Sequence, residues 1–165
     1  MLAYSRELAK NYQNVDLDIL DLVVWWHDVG RLYGDEGHAK KSGEMAKSYF
    51  TQANLDILDI DKACESIVDH SNREGGEPKF IEGKILKDAD KLDFLTVSRW
   101  KIALETKSNW AIEIGINRIP IIRDEILTLP ESKMMFDKLL NDLRKYFSGL
   151  DNDVLGKYKE KLLAL

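Results

Sequence analysis

Cysteine is almost absent. The sequence has one, Cys64, which excludes a disulfide framework and a cysteine zinc site. Proline is nearly as scarce: three residues, Pro78, Pro120 and Pro130. Strand-like alternation of apolar and polar residues is rare too, so the expected fold class is all-α, a helical bundle. No apolar run approaches the roughly 20 residues of a membrane span. No signal peptide is expected at the start, because Arg6, Glu7 and Lys10 interrupt any apolar region there. An excess of basic charge is missing as well: 24 Lys and Arg against 29 Asp and Glu give a net charge of -5. That argues against nucleic acid as the main ligand, since such binders usually show a basic face or stripe. A reducing cytoplasm is the expected setting. With 165 residues and no repeat, low-complexity tract or linker, one domain over residues 1–165 is expected.

What is present is concentrated in one stretch, Ile19 to Gly30, the most apolar run in the chain. Leu20, Val23, Val24 and His27 fall at i, i+3, i+4 and i+7, one face of a helix. Asn14 or Asp16 is placed to cap its start, and Gly30 to stop it as a left-handed cap. The helix therefore delivers His27 and Asp28 in its last turn, at least partly buried. A buried imidazole beside a buried carboxylate is costly unless something pairs them, and a divalent cation satisfies both. An isolated His-Asp pair more often marks a helix-end histidine satisfied by a neighbouring acid, so the other histidines decide the matter.

There are two more. His38 starts the next predicted helix, whose inner face is Ala39, Ser42, Met45, Ala46, Tyr49 and Phe50. His70 lies in the last turn of a helix with Ala63, Cys64, Ile67 and Val68 inward and Asp59 or Asp61 as its cap. The loop over residues 72–79, with Gly75, Gly76 and Pro78, is a candidate pocket rim carrying Arg73 and Lys79. A long helix is predicted from about Phe80 to Glu105. On it Leu86, Asp90, Asp93 and Val97 share a face, which makes Asp90 the most suspect acid, since a carboxylate on an apolar face wants a cation or several donors. Asp88 falls off that face, near Lys84 and Lys91, as a solvated ion-pair partner. Residues 110–122 read as a short helix and a loop ending at Pro120. A helix follows from Pro130 to about Phe147, stopped by Gly149, with Met134, Met135, Leu139, Leu140 and Leu143 as its apolar stripe. A last helix, capped by Asp151 or Asp153, carries Leu155, Tyr158, Leu162 and Leu163.

The series His27-Asp28, His38, His70, Asp90 combines imidazole and carboxylate without thiolate. That donor set suits Mn, Fe, Co, Ni or Zn, with Mg less well served. In "WWHDVGR" (Trp25 to Arg31), "HAKKSGEMA" (His38 to Ala46), "SIVDHS" (Ser66 to Ser71) and "ILKDADKLD" (Ile85 to Asp93) the sequence resembles the HD superfamily of metal-dependent phosphohydrolases, in its small, stand-alone branch. The likeness covers about residues 1–100, with the C-terminal helices, about 101–165, matching only as generic helix. The resemblance implies a helical bundle with a divalent metal between helices. It makes His27, Asp28 and Asp90 shared metal ligands, and His38 and His70 the histidines of members that bind a second metal or contact substrate phosphate. Asp93 becomes a catalytic acid behind a ligand. Arg31 stands where single-metal nucleotidases of the superfamily carry a Glu, which leans toward a hydroxide nucleophile with Arg31 as a phosphate contact. Arg73, Lys87 and Lys91 are the further candidates for neutralising substrate charge.

The implied reaction is hydrolysis of a phosphoester or phosphoanhydride in a small phosphorylated molecule such as a nucleotide, with homo-oligomerisation left open. The family pattern opens with one more ligand His, which falls before Met1. Its absence from this sequence motivates the alternative, a degenerate HD domain that binds metal or nucleotide without turnover. A helical scaffold with buried His-Asp pairs is the bland third reading.

Overall fold

The carboxylate of Asp16 accepts hydrogen bonds from the backbone N–H groups of Asp18 and Ile19, both at 3.0 Å, and so starts helix α2 (Leu17–Trp26). The computed structural model describes residues 1–55, 59–106, 109–150 and 152–165, and among them the structure is helix, turn and loop with no strand. The fold is all-α, as composition and periodicity require. None of the described helices is long and apolar enough to cross a membrane.

The chain divides into two compact units, Met1–Asp90 and Lys91–Leu165. In the first, α1 (Leu2–Ala9) lies on α2, with Leu8 fully buried and Arg6 paired to Asp21. A 3-10 turn, Val29–Tyr33, leads to α3 (His38–Gln52) and then α4 (Ile60–Asp69). Helix α3 packs on both the turn and α4, while α4 also packs on α2. Ile19, Leu20, Val23, Ala39, Ala46, Phe50, Ala63 and Ile67 close the core between them. Helix α5 (Ile81–Asp93) completes this unit and runs past its boundary.

Two features of this unit carry measurable consequences. Glu82, fully buried, ties three segments together: Oε1 accepts the N–H of Asp16 at 2.7 Å and the ammonium of Lys62 at 2.8 Å. Removing one partner of a buried pair strands the other. Glu82→Ala is therefore expected to cost about 3 kcal/mol in urea unfolding, and Glu82→Gln clearly less, since the amide oxygen still accepts. Cys64 is buried on α4, and burial pushes its thiol up to about 11, with Lys47 pulling it partly back. The rise above the ordinary value of 9.0 leaves about 100-fold less thiolate at pH 8 than in an unfolded chain. Alkylation by iodoacetamide is expected to be slow by about that factor in the native protein relative to urea. Because folding favours the neutral thiol, stability holds below pH 9.0 and falls as pH climbs from there toward 11. Cys64→Ala should remove that slope.

The second unit holds α6 (Val97–Thr106), α7 (Asn109–Ile121), a π-helical turn (Ile122–Ile126), α8 (Pro130–Ser148) and α9 (Asn152–Leu163). Pro130 occupies the first turn of α8, where its missing N–H leaves nothing unmade. Helix α8 packs on α6 and α9 through Phe136, Leu140, Leu143 and Phe147.

The structure departs from the sequence expectations at several points. The long helix is two, broken over residues 94–96: the Thr96 hydroxyl takes the Asp93 carbonyl at 2.9 Å, offering the backbone an alternative to the helical ladder. Pro120 lies inside α7 rather than ending it. Met134 is 74% exposed, so the α8 stripe is rotated away from the methionine pair toward Phe136 and Phe147. Asp88 is fully buried instead of solvated, because α5 is covered on nearly every side from Ile85 to Ala89. Gly30 does not adopt a left-handed conformation; only Gly34 and Gly37 among the described glycines do. The cap expected at Asp151 or Asp153, with Leu155, lies outside the described residues and side chains.

Candidate metal centre

Each of the three histidines sits where an apolar helix ends or begins. His27 is the C-cap of α2, His38 the first residue of α3, and His70 the C-cap of α4. Asp28 follows His27 and opens the 3-10 turn. His27, His38 and His70 are 9%, 8% and 2% exposed.

The imidazoles are fixed in one manner. Nδ1 meets the carbonyl three residues earlier: Val24 at 2.8 Å for His27, Asp35 at 2.9 Å for His38 and Ile67 at 2.5 Å for His70. A carbonyl oxygen only accepts, so each Nδ1 carries the proton, and in the neutral ring Nε2 is the atom left free to bind a cation. The three Nε2 atoms converge on Asp28. His27 Nε2 lies 3.6 Å from Oδ2, while His38 Nε2 and His70 Nε2 lie 3.4 Å and 3.7 Å from Oδ1. His70 stands edge-on to both other rings, with centroids 5.0 Å and 5.5 Å away. Ligand atoms of His27, Asp28 and His70 all fall within 4.8 Å of one another. Asp28 Oδ1 and His38 Nε2 are buried without a hydrogen-bond partner among the described residues.

A buried polar atom left without a partner, as Asp28 Oδ1 and His38 Nε2 are among the described residues, costs about 1–3 kcal/mol. A divalent cation turns each of these acceptors into a ligand, so the residues present fit a metal. Electrostatics agree. Burial, then the neighbouring His70, lower the pKa of His27, against the opposing pull of Asp28 and Asp90; its imidazole is neutral at pH 7 and needs no proton removed before ligation. Burial pushes the Asp28 carboxyl up, but His70, His27 and Arg31 together outweigh it and hold the group well below the usual carboxylate range.

The other expected site residues are placed as follows. Asp90, half-buried on α5, reaches His27 through its charge. Arg31 is engaged inside the cluster, with Nε on Asp28 Oδ2 and Nη1 on Asp35 Oδ1, both at 2.7 Å. Asp93 belongs to the second unit and pairs there with Arg99 at 2.7 Å. Arg73 is exposed in the loop after α4, Lys87 is buried, and Lys91 is half-buried.

Two residues near the histidines have roles that the sequence reading did not assign. Ser42 on α3 accepts the Gly30 N–H at 2.8 Å and donates to the His38 carbonyl at 2.8 Å. Glu74, in the loop after α4, lies 3.2 Å from His38 Nδ1. Helical spacing put Ser42 on the inner face of α3 but gave no hint of its bonds, and the loop position of Glu74, on the expected pocket rim, was the one signal near it.

The profile of the HD domain family matches residues 1–95, a span that contains His27, Asp28, His38, His70, Asp90 and Asp93. The chain belongs to the HD domain family. HD domains are in general metal-dependent hydrolases and typically bind divalent metals. No curated protein and no solved structure matches the sequence.

Proposed function

We propose that this HD domain is a metal-dependent phosphohydrolase acting on a small phosphorylated molecule, a nucleotide or a related ester or anhydride. The observation that carries the reading is the convergence of three imidazole Nε2 atoms on the Asp28 carboxylate at 3.4–3.7 Å, with Asp28 Oδ1 and His38 Nε2 buried and without a hydrogen-bond partner among the described residues. His27, Asp28 and His70, whose ligand atoms lie within 4.8 Å of one another, would hold the cation together with His38, whose Nε2 faces Asp28 Oδ1, and Asp90 adds negative charge beside His27. When bound, a divalent cation supplies Lewis acidity, polarising a phosphoryl oxygen and making water a better nucleophile near neutral pH.

The chain's own residues do the rest. The carbonyls of Val24, Asp35 and Ile67 lock the rings so that no rotamer search precedes binding. Arg31, held on Asp28 by Nε, brings a guanidinium to the edge of the cluster, and bidentate donors of that kind suit phosphate oxygens. Nearby, Tyr33, Lys40 and Lys41 line a recess of about 310 Å³ with Gly30, Gly37 and Glu44, where the Lys41 ammonium lies 5.7 Å from the Tyr33 ring centre. An aromatic face with two ammonium groups suits a base and its phosphates.

The test is metal analysis of the purified protein together with a phosphate-release screen over nucleotides and phosphoesters in Mn, Co, Ni, Mg and Zn. Stoichiometric metal, lost in His27→Ala and weakened in Asp90→Ala, with release from at least one substrate, supports the reading. Stoichiometric metal with no release across the panel would make this a binding domain instead.

A further inference from the structure

We propose that Glu74 is a positioning residue that sets His38 as a metal donor, acting from the loop between α4 and α5. The assignment rests on the metal-centre reading above. Its two oxygens do different things, and its side chain is only 16% exposed. Oε2 accepts the backbone N–H of Ala39 at 3.0 Å and of Lys40 at 3.2 Å. Helix α3 begins after Gly37, which has no side chain to offer its first free N–H groups, so Glu74 supplies the cap from another part of the chain. Oε1 lies 3.2 Å from His38 Nδ1, whose proton points at the Asp35 carbonyl 2.9 Å away. The imidazole N–H is thus held by a neutral acceptor while a carboxylate charge stands beside it.

A carboxylate behind a ligand histidine fixes the ring and the tautomer and makes the opposite nitrogen a stronger donor to a cation. That opposite nitrogen, Nε2, is the buried unpartnered atom 3.4 Å from Asp28 Oδ1. The described Nδ1 contacts of His27 and His70 are the backbone carbonyls of Val24 and Ile67, whereas His38 Nδ1 also has a carboxylate oxygen at 3.2 Å.

The loop is built to deliver this group. Gly75 N–H closes a turn on the Ser71 carbonyl at 2.9 Å. A Cβ at Gly75 would come within 2.6 Å of both Asp69 Cα and the Val68 carbonyl oxygen, so only glycine lets the loop lie this close to the end of α4. The helix that ends in His70 therefore also anchors the residue that orients His38.

The test compares full-length wild type, Glu74→Gln and Glu74→Ala by Co²⁺ titration calorimetry, by thermal melting without metal, and by imidazole ¹⁵N spectra without metal. Gln keeps an amide oxygen for the α3 cap but removes the charge facing Nδ1. It is expected to melt within about 2 °C of wild type, to bind Co²⁺ about 10- to 100-fold more weakly, and to shift the His38 nitrogens while leaving those of His27 in place. Ala is expected to lose both stability and affinity. Wild-type affinity and unmoved His38 resonances in Glu74→Gln would show a cap and nothing more, and would overturn the assignment. Failure of the wild type to bind Co²⁺ would instead remove the metal centre itself, and this assignment with it.

Discussion

Asp28→Asn is expected to abolish metal retention and, at the same time, to leave the metal-free protein slightly less stable than the wild type. The two halves have one cause. The Asp28 carboxylate is the group that the Nε2 atoms of His27, His38 and His70 all face, at 3.4–3.7 Å. In the absence of a cation its charge is supported, against the cost of burial, by His70, His27 and Arg31, which hold it well below the usual carboxylate range. That support is a stabilising contribution at neutral pH. An asparagine of the same shape removes the charge and, with it, the Arg31 pair, whose side chains are 46% and 36% exposed and which is worth at most about 1 kcal/mol. Its NH₂ group can donate to His38 Nε2, a buried atom without a hydrogen-bond partner among the described residues, and so offsets part of what the charge supplied. The net cost is about 1 kcal/mol, or about 3 °C in Tm for a chain of this length. Metal affinity should fall by more than about 100-fold, since an anionic ligand common to every pair in the cluster is gone. Melting in chelator and Co²⁺ calorimetry measure the two effects separately. A higher metal-free Tm in Asp28→Asn would show that the carboxylate is a burden on the fold rather than a supported charge.

Much of the fold could be read from periodicity because the apolar residues of α2, α3 and α4 repeat at the helical period and each helix begins or ends at a histidine. Asp16 and Asp59 could be read as caps for the same local reason, and both make the bonds expected of them. What could not be read depends on the partner element. Nothing local marks the break after Asp93, since Phe94 and Leu95 continue the apolar pattern while a single threonine hydroxyl redirects the backbone. Three aspartates on one helix show a face only when it is known which sides are covered, and α5 is covered even at Asp88. The phase of α8 went astray on Met134 because two adjacent methionines look like core until the helix has a neighbour. In the site, His27 and Asp28 announce themselves, whereas Glu74 does not, because a loop has no period.

Gly30 shows the same limit most sharply, and Gly30→Ala carries the other large effect. A glycine two residues after a helix-ending His-Asp pair invites a left-handed cap, yet its backbone is not left-handed. The reason for glycine is contact. A Cβ there would lie 2.2 Å from the His38 carbonyl oxygen, 2.8 Å from Ser42 N and 2.9 Å from Ser42 Oγ. Two of those atoms are backbone of α3, so no side chain can swing aside; the turn and α3 must part by about 1 Å. The Gly30 N–H would then lose Ser42 Oγ, which stands at 2.8 Å and is itself bonded to the His38 carbonyl. Overpacking and a stranded buried N–H together are expected to cost about 3 kcal/mol, lowering Tm by about 6–12 °C. The consequence for the site is separate from the loss of stability. The turn carries Asp28 and α3 carries His38, so their separation moves two ligands apart while leaving every ligand in the chain, and a shift of about 1 Å can cost 100-fold. Gly37→Asn is the control: its left-handed φ of 71° suits asparagine and an added Cβ meets nothing within 4 Å, so both Tm and Co²⁺ affinity should stay near wild type. If Gly30→Ala melts early but binds Co²⁺ as tightly as wild type below its transition, the ligands do not depend on the close approach of the turn to α3, and the geometry that defines the centre is set elsewhere.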